Sequence, residues 1–223
     1  MPLEQKFVMI MASHRRSDLR RIAKIYFFAV PKTGTHAVRE ALRPYLSSTD
    51  WEQQVRYGEQ LSPLPEIAAI NHGHVSYRQL SSVVGRGTLS RFFRFAFTRH
   101  PYDRFVSVCA FLARTDPSYK QSPTEWMKSA LQRPQFCNRV LVTSQHALLS
   151  DENGALGLDF VGRYESLQID FDAICDRLKL PKAALAHRNS SEHDSYQQLL
   201  DNELREALWD RYEQDFSSFN YSP

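Results

Sequence analysis

The sequence predicts an α/β fold: a single P-loop-like domain whose central parallel sheet has four to five strands, with helices on both faces. Three observations carry that prediction. Short apolar runs rich in aromatic and β-branched residues alternate with stretches of helical period, the pattern of strands joined by crossover helices. The runs lack polar alternation, as expected of strands buried on both faces. The segments that combine Lys, His or Arg with Gly or Pro fall where those runs end, the edge at which parallel sheets bind ligands.

Taken in order, residues 1–23 form a variable lead-in with a basic cluster at Arg15, Arg16, Arg20 and Arg21. Such a cluster is more often a solvated face than a site for an acidic substrate. Phe7 to Met11 is too short for a membrane span, and His14-Arg15-Arg16 stands where a cleavage site requires small residues. Ile25 to Val30 predicts the first strand, Pro31-Lys32-Thr33-Gly34-Thr35 a turn, and Val38, Ala41/Leu42 and Tyr45 recur at helical spacing. Residues 47–65 read as a loop or short irregular helix. Glu66 to Ile70 predicts a second strand, running into Asn71-His72-Gly73-His74-Val75-Ser76-Tyr77, with Ser76 capping a helix through Val83.

Gly85-Arg86-Gly87 predicts a turn and Phe92 to Thr98 another strand, and Pro101 opens an amphipathic helix through Phe105, Val108/Cys109 and Leu112. The aromatic run Phe92, Phe93, Phe95, Phe97 reads as core rather than as a base-stacking box. Residues 116–145 are polar and helical in patches, as in Thr124 to Leu131. Gln145 to Leu149, the turn Asp151 to Gly154, and Leu158 to Tyr164 read as strand, turn and strand. Leu167, Phe171, Ile174 and Leu178 mark a helix stopped by Pro181. A polar loop, His187 to Ser191, precedes a closing helix through Leu204, Leu208 and Tyr212 to near Phe216.

The chain has 223 residues, which suits one domain over residues 1–223. A domain of that size buries roughly 70% of its unfolded surface and needs no disulfide or metal staple. Net charge is +3 and the sequence pI about 8.8, too mild to argue for nucleic acid but compatible with small anionic ligands. Three widely spaced cysteines (Cys109, Cys137, Cys175) in no Cys-x-x-Cys pattern predict reduced, buried thiols and a cytoplasmic setting.

The most informative stretch is Lys24 to Leu46. A strand, a tight turn holding Gly and Lys, then a helix is an anion site: free N–H groups and the helix dipole face the ligand, and the lysine adds a full charge. It is not a Walker A loop, which places glycines upstream and Gly-Lys-Ser/Thr in that order. Here Gly34 follows Lys32. An ordinary βα turn with a surface lysine has the same local pattern.

Pro31-Lys32-Thr33-Gly34-Thr35 resembles the loop with which sulfotransferases hold the 5′-phosphosulfate of 3′-phosphoadenosine 5′-phosphosulfate (PAPS). Arg99-x-Pro101-x-x-Arg104-x-x-Ser107 resembles the segment that holds its 3′-phosphate. His72-Gly73-His74-Val75-Ser76-Tyr77 is similar to the segment carrying the histidine base of uronyl 2-O-sulfotransferases, the base falling on His74. Phe160 to Leu167 and His187-Arg188-Asn189-Ser190 look like C-terminal signatures of the same carbohydrate branch. The resemblance runs in blocks from about residue 25 to 219. The chain departs from it in carrying His36 where family loops place Ser or Thr, and in lacking the Arg-Lys-Gly run of cytosolic aryl sulfotransferases. It also shows no membrane anchor of the Golgi type, which fits a soluble, bacterial-type member.

The resemblance implies a PAPS-dependent O-sulfotransferase that needs no metal and acts on a hydroxyl of a carbohydrate or glycoconjugate. Lys32 takes the charge on the bridging oxygen, and the backbone around Thr33, Gly34, Thr35 and His36 holds the 5′-phosphate. Arg99 and Ser107 take the 3′-phosphate, Arg188, Asn189 and Ser190 close over the nucleotide, and His74 is the general base. His72 and Tyr77 are the substrate-side candidates. His72 also has a reading as a loop-orienting group, and Tyr77 either lines the acceptor pocket or packs beneath it. His-x-His is a metal-ligand pattern too, but no third ligand stands at a diagnostic spacing. Arg104 reads as structural, in an ion pair with Asp103. The competing functions are a P-loop nucleotide-dependent kinase, which requires the upstream glycine and an acidic Mg²⁺ ligand, and an inactive nucleotide-binding module of the same fold.

Overall fold

The structure, a computed structural model, describes residues 24–46, 50–52, 62–70, 72–186 and 195–223. Three strands, β1 (Ile25–Phe28), β2 (Phe93–Thr98) and β3 (Phe160–Arg163), pair in parallel in the order β1-β2-β3. Ile25 stands opposite Phe93 and Phe28 opposite Ala96, while Phe95 opposes Phe160 and Thr98 opposes Arg163. All four residues of β1 are buried, so both of its faces are covered. With three strands among the described residues, the expectation of four to five is corrected.

The two missing strands are both short helices, for local and distant reasons. Residues 66–68 belong to α2 (Pro65–Ala68) and 69–70 follow it as its cap and a bend; the helix is opened by a proline whose fixed φ suits the first helical position. Residues 145–149 form α9 (Gln145–Leu149). Ser144 caps it by accepting from the Ala147 N–H, and the Asp215 carboxylate takes the N–H groups of Gln145 at 2.9 Å and His146 at 2.7 Å. A carboxylate arriving from seventy residues away thus converts an apolar run into a helix start. The turn 151–154 is closed instead by an isolated antiparallel bridge between Ser150 and Leu156.

Around the sheet stand α1 (Thr35–Leu42), α3 (Tyr77–Val84) and α4 (Arg86–Leu89) in the first half of the chain. The middle holds α5 (Pro101–Leu112), α6 (Pro117–Gln121), α7 (Pro123–Leu131) and α8 (Pro134–Cys137), each beginning on a proline. The last are α10 (Leu167–Leu178), α11 (Tyr196–Leu199) and α12 (Asn202–Ser218). α3 begins with a full capping box: Gln79 N–H donates to the Ser76 hydroxyl and the Gln79 side chain accepts from Ser76 N–H. The expected turn at 85–87 is a single left-handed residue, Gly85 (φ 78°), after which α4 starts at once. α10 ends at Lys179, itself left-handed (φ 57°), ahead of Pro181.

The core has two parts. The strands pack with Val38 and Leu42 of α1, Leu80 of α3, Leu148 and Leu149 of α9, and Phe171 and Ile174 of α10. A second cluster joins α5, α7 and α12 through Phe105, Met127, Leu204, Leu208 and Phe216. Phe95 and Phe97 are fully buried core residues. All three cysteines are free; Cys109 and Cys175 are buried, whereas Cys137 is half-buried rather than buried as expected. Among the described residues no helix is long and apolar enough to cross a membrane.

Candidate active site

Parallel pairing brings the ends of all three strands to one edge, and each leads into a charged or aromatic segment. After β1 the chain turns through Lys32 and Gly34, both with left-handed backbone (φ 65° and 78°). Such a conformation is unusual and strained for a lysine. Gly34 has no alternative: a Cβ there meets Leu167 Cδ2 at 2.6 Å. The buried Thr33 hydroxyl donates to the Val30 carbonyl at 2.9 Å, which braces the turn and spends that side chain's proton on structure. No side chain caps the N-terminus of α1, so the first N–H groups, among them those of Thr35 and His36, have no acceptor within the helix. Thr35 is buried and the His36 side chain exposed.

Lys32 is half-buried, its Nζ 4.9 Å from the centre of the Phe111 ring. Burial, and then the nearby Arg99 cation, pull its pKa down to about 8. An anion in the loop opposes both influences by favouring the charged ammonium.

The second histidine segment does not follow a strand, as expected from sequence; it follows α2, and Asn71 itself lies outside the described residues. It nevertheless reaches the end of β1. His74 Nδ1 is 2.7 Å from the Ala29 carbonyl oxygen. A carbonyl only accepts, so Nδ1 carries the proton and Nε2 holds the free lone pair. His72 has the opposite arrangement, its Nδ1 accepting from the His74 N–H at 3.2 Å. Burial drives the His74 pKa down to about 3, with further lowering by Arg39, His72 and His36 against an opposing effect of the Ala29 bond. Burial also lowers that of His72. Both rings are therefore neutral at pH 7, with the protonated nitrogen of His74 directed at a carbonyl and Nδ1 of His72 accepting a hydrogen bond.

At the end of β2, Arg99 is buried beside the loop. Its Nε donates to Asp103 Oδ2 at 2.6 Å, its Nη1 to the Lys32 carbonyl at 3.3 Å, and its guanidinium lies 4.2 Å from the Tyr164 ring centre. The Gln145 side chain clamps the Arg99 backbone from both sides, accepting its N–H and donating to its carbonyl. Asp103 therefore pairs with Arg99, not with Arg104 as expected. Arg104 is wholly buried and donates to the carbonyls of Leu141 (3.1 Å) and Thr143 (2.8 Å), a structural role. Ser107 lies two turns into α5 and is only 1% exposed.

Tyr77 packs beneath the site instead of lining an open surface. It is buried against Phe28, and Gly157 passes so close that a Cβ there meets the Tyr77 ring at 2.0 Å. Arg188, Asn189 and Ser190, with the rest of residues 187–194, lie outside the described residues. Two contributors escaped sequence reading. Arg39 holds the Gly73 carbonyl between the two histidines at 2.8 Å; its signal was a cation on the buried stripe of α1, beside Thr35, Val38 and Leu42. Gln145 carried no signal, because its contact is with a residue forty-six positions away. Among the described residues no group of carboxylate, histidine or cysteine side chains is arranged to hold a metal ion.

Comparison with known proteins bears on what this edge does. Residues 18–222 match the model of a family described as the sulfotransferase family. A protein of Archaeoglobus fulgidus, described only as uncharacterized, is 26% identical over 122 residues, which span 52% of this chain and 92% of the archaeal one. No solved structure matches.

Proposed function

As the chain belongs to the sulfotransferase family, we propose that it is a PAPS-dependent O-sulfotransferase acting on a carbohydrate or glycoconjugate hydroxyl, with residues 1–223 forming one catalytic domain. The family match itself supports sulfuryl transfer with a nucleotide donor and a hydroxyl acceptor. The observation that carries the finer reading is the His74 tautomer. Its Nδ1–H is tied to Ala29 beside the phosphate loop, which leaves a neutral Nε2 lone pair as the base.

In this reading, His74 Nε2 takes the proton of the acceptor hydroxyl as its oxygen bonds to sulfur. The bond from sulfur to the 5′-phosphate oxygen breaks, and Lys32 meets the charge that develops there. The N–H groups from Thr33 to His36 hold the 5′-phosphate. Arg99 presents its planar fork to the 3′-phosphate, and Ser107, on the helix that follows it, is the second contact of this reading. His72 orients the base from the acceptor side, and Arg188, Asn189 and Ser190 close over the nucleotide. The free thiols fit a cytoplasmic setting. The observations do not favour a kinase: β1 leads into Pro31-Lys32 with no glycine upstream, and β2 leads into Arg99, where a kinase needs an acidic Mg²⁺ ligand.

Thermal stabilisation by 3′-phosphoadenosine 5′-phosphate, against ADP and ATP without magnesium, tests the donor assignment. At ~100 times its dissociation constant, the 3′-phosphorylated nucleotide is expected to add about 2.7 kcal/mol. Equal stabilisation by ADP removes the proposed role of Arg99, and a response confined to ATP with Mg²⁺ favours the kinase.

A further inference from the structure

We propose that Arg39 is a positioning residue that ties the base-bearing segment to the helix of the phosphate loop. The proposal rests on the reading of His74 as the base. Arg39 belongs to α1, the helix whose N-terminus is the proposed anion site, and the residue is 3% exposed. Its Nη2 donates to the Gly73 carbonyl at 2.8 Å, and Gly73 is the residue between the two histidines. Its Nε lies 3.9 Å from Glu52 Oε1. One turn further on, Arg43, the residue that caps the end of α1, grips the same Glu52 through two bonds of 3.0 Å, so the carboxylate anchors the helix from its other end.

The consequence is mechanical. His74 is held at its ring by the Ala29 carbonyl and at its N–H by His72. Neither contact fixes the segment relative to α1. Arg39 supplies that link, so the base and the loop's N–H groups move as one body. A base misplaced by about 1 Å loses roughly 10²-fold in rate. The groups facing His74 are the Ala29 carbonyl just after β1, His36 and Arg39 from α1, and His72 on its own segment; of the side chains, Arg39 is the permanent cation. Removing that charge therefore raises the His74 pKa towards its ordinary value.

The test is a set of variants read by steady-state kinetics and nucleotide binding. Arg39→Met is expected to lower kcat about 10²-fold, to leave affinity for 3′-phosphoadenosine 5′-phosphate nearly unchanged, and to move the acid limb of kcat/KM to higher pH. Arg39→Lys keeps the charge but not the fork; it is expected to lower kcat while leaving the acid limb in place. A folded Arg39→Met enzyme with wild-type kcat and an unmoved acid limb overturns the proposal, as does a loss of nucleotide affinity that matches the loss of kcat. Should Arg39→Met fail to fold, unchanged kcat in Arg39→Lys overturns it equally. His74→Ala run in parallel separates the two levels. If that variant is inactive and the Arg39 variants are normal, only the role of Arg39 falls; if His74→Ala keeps full kcat, the base assignment falls and the role of Arg39 with it.

Discussion

Arg99 and Arg104 stand five positions apart in one segment, and they end in opposite situations. Arg104 points into the cluster of α5, α7 and α12. There the Leu141 and Thr143 carbonyls accept from it, the Tyr212 ring lies 5.3 Å away and Asp215 4.0 Å away. Arg99 sits at the open edge of the sheet. It has one ion pair, one long bond to the Lys32 carbonyl and an aromatic face, and among the described residues its Nη2 has no hydrogen-bond partner. The contrast extends to the regions around them. In the helical cluster Arg104 and Tyr212 both spend their polar ends on backbone carbonyls; at the sheet edge His74 is tied through Nδ1 and Arg99 through Nε and Nη1, while the Lys32 ammonium rests against the Phe111 ring. Arg104 is enclosed and spends both of its terminal nitrogens on backbone carbonyls, whereas Arg99 is braced from behind with Nη2 to spare, which is why the proposed ligand contact falls to Arg99.

The largest expected effects fall on the edge. His74→Ala should lower kcat by ~10²–10⁴-fold and leave nucleotide affinity nearly intact, since a positioned base acts on the chemical step. Lys32→Ala should lower it by ~10²–10³-fold through loss of charge stabilisation. Equal losses of nucleotide affinity and turnover in the His74 variant, or an unchanged rate in the Lys32 variant, break the contrast at its open side. Next come the two arginines, expected to part company. Arg104→Ala strands two buried carbonyls and should cost about 3 kcal/mol of stability, which lowers the melting temperature by roughly 6–12 °C in a chain of this size. Arg99→Ala should instead weaken binding of 3′-phosphoadenosine 5′-phosphate by ~10–100-fold, with a smaller change in melting temperature. The same thermal melts and binding titrations on both variants decide it; identical phenotypes erase the distinction.

The smallest effect is a shape. His74 acts when neutral, and its pKa is pulled down to about 3, so the free enzyme keeps its base as pH falls below the ordinary histidine value. Lys32 acts when charged, and its pKa is pulled down to about 8, so activity should fall as pH rises through that value. The pH profile of kcat/KM should therefore show an acid limb well below about 6.5, the ordinary histidine pKa, and an alkaline limb near pH 8. An acid limb centred at the ordinary value means a solvated histidine and not the buried one. Stability carries the same sign: the unfolded chain protonates this histidine first, so the contribution present above the ordinary value is lost as pH falls towards the folded one.

Much of this was written in short-range patterns. The Pro-Lys-Thr-Gly turn, the Ser76 capping box, the proline at the start of α5 and the apolar spacing of α10 all act within a few residues, and each element stands where its pattern put it. The failures have several causes, and residues 66–68 turned helical for the local one of Pro65 at the first helical position. Residues 145–149 carry an apolar run that fits a strand or a helix equally, and the choice fell to Asp215 on α12. Asp103 has a cation next to it in sequence and another one turn back, and the helix geometry selected the latter.

By itself, the sequence determined the parallel α/β class and the loop with its lysine and glycine, and it singled out the histidine and arginine segments proposed to carry chemistry, because periodicity and turn stereochemistry are local. Tertiary structure alone decided which nitrogen of His74 is free, that Arg99 faces the loop while Arg104 is closed in, and that Arg39 reaches Gly73. Those outcomes depend on a carbonyl, a carboxylate or a ring brought from tens of residues away. Burial then sets their protonation, and burial is a property of the packed chain and not of any segment in it.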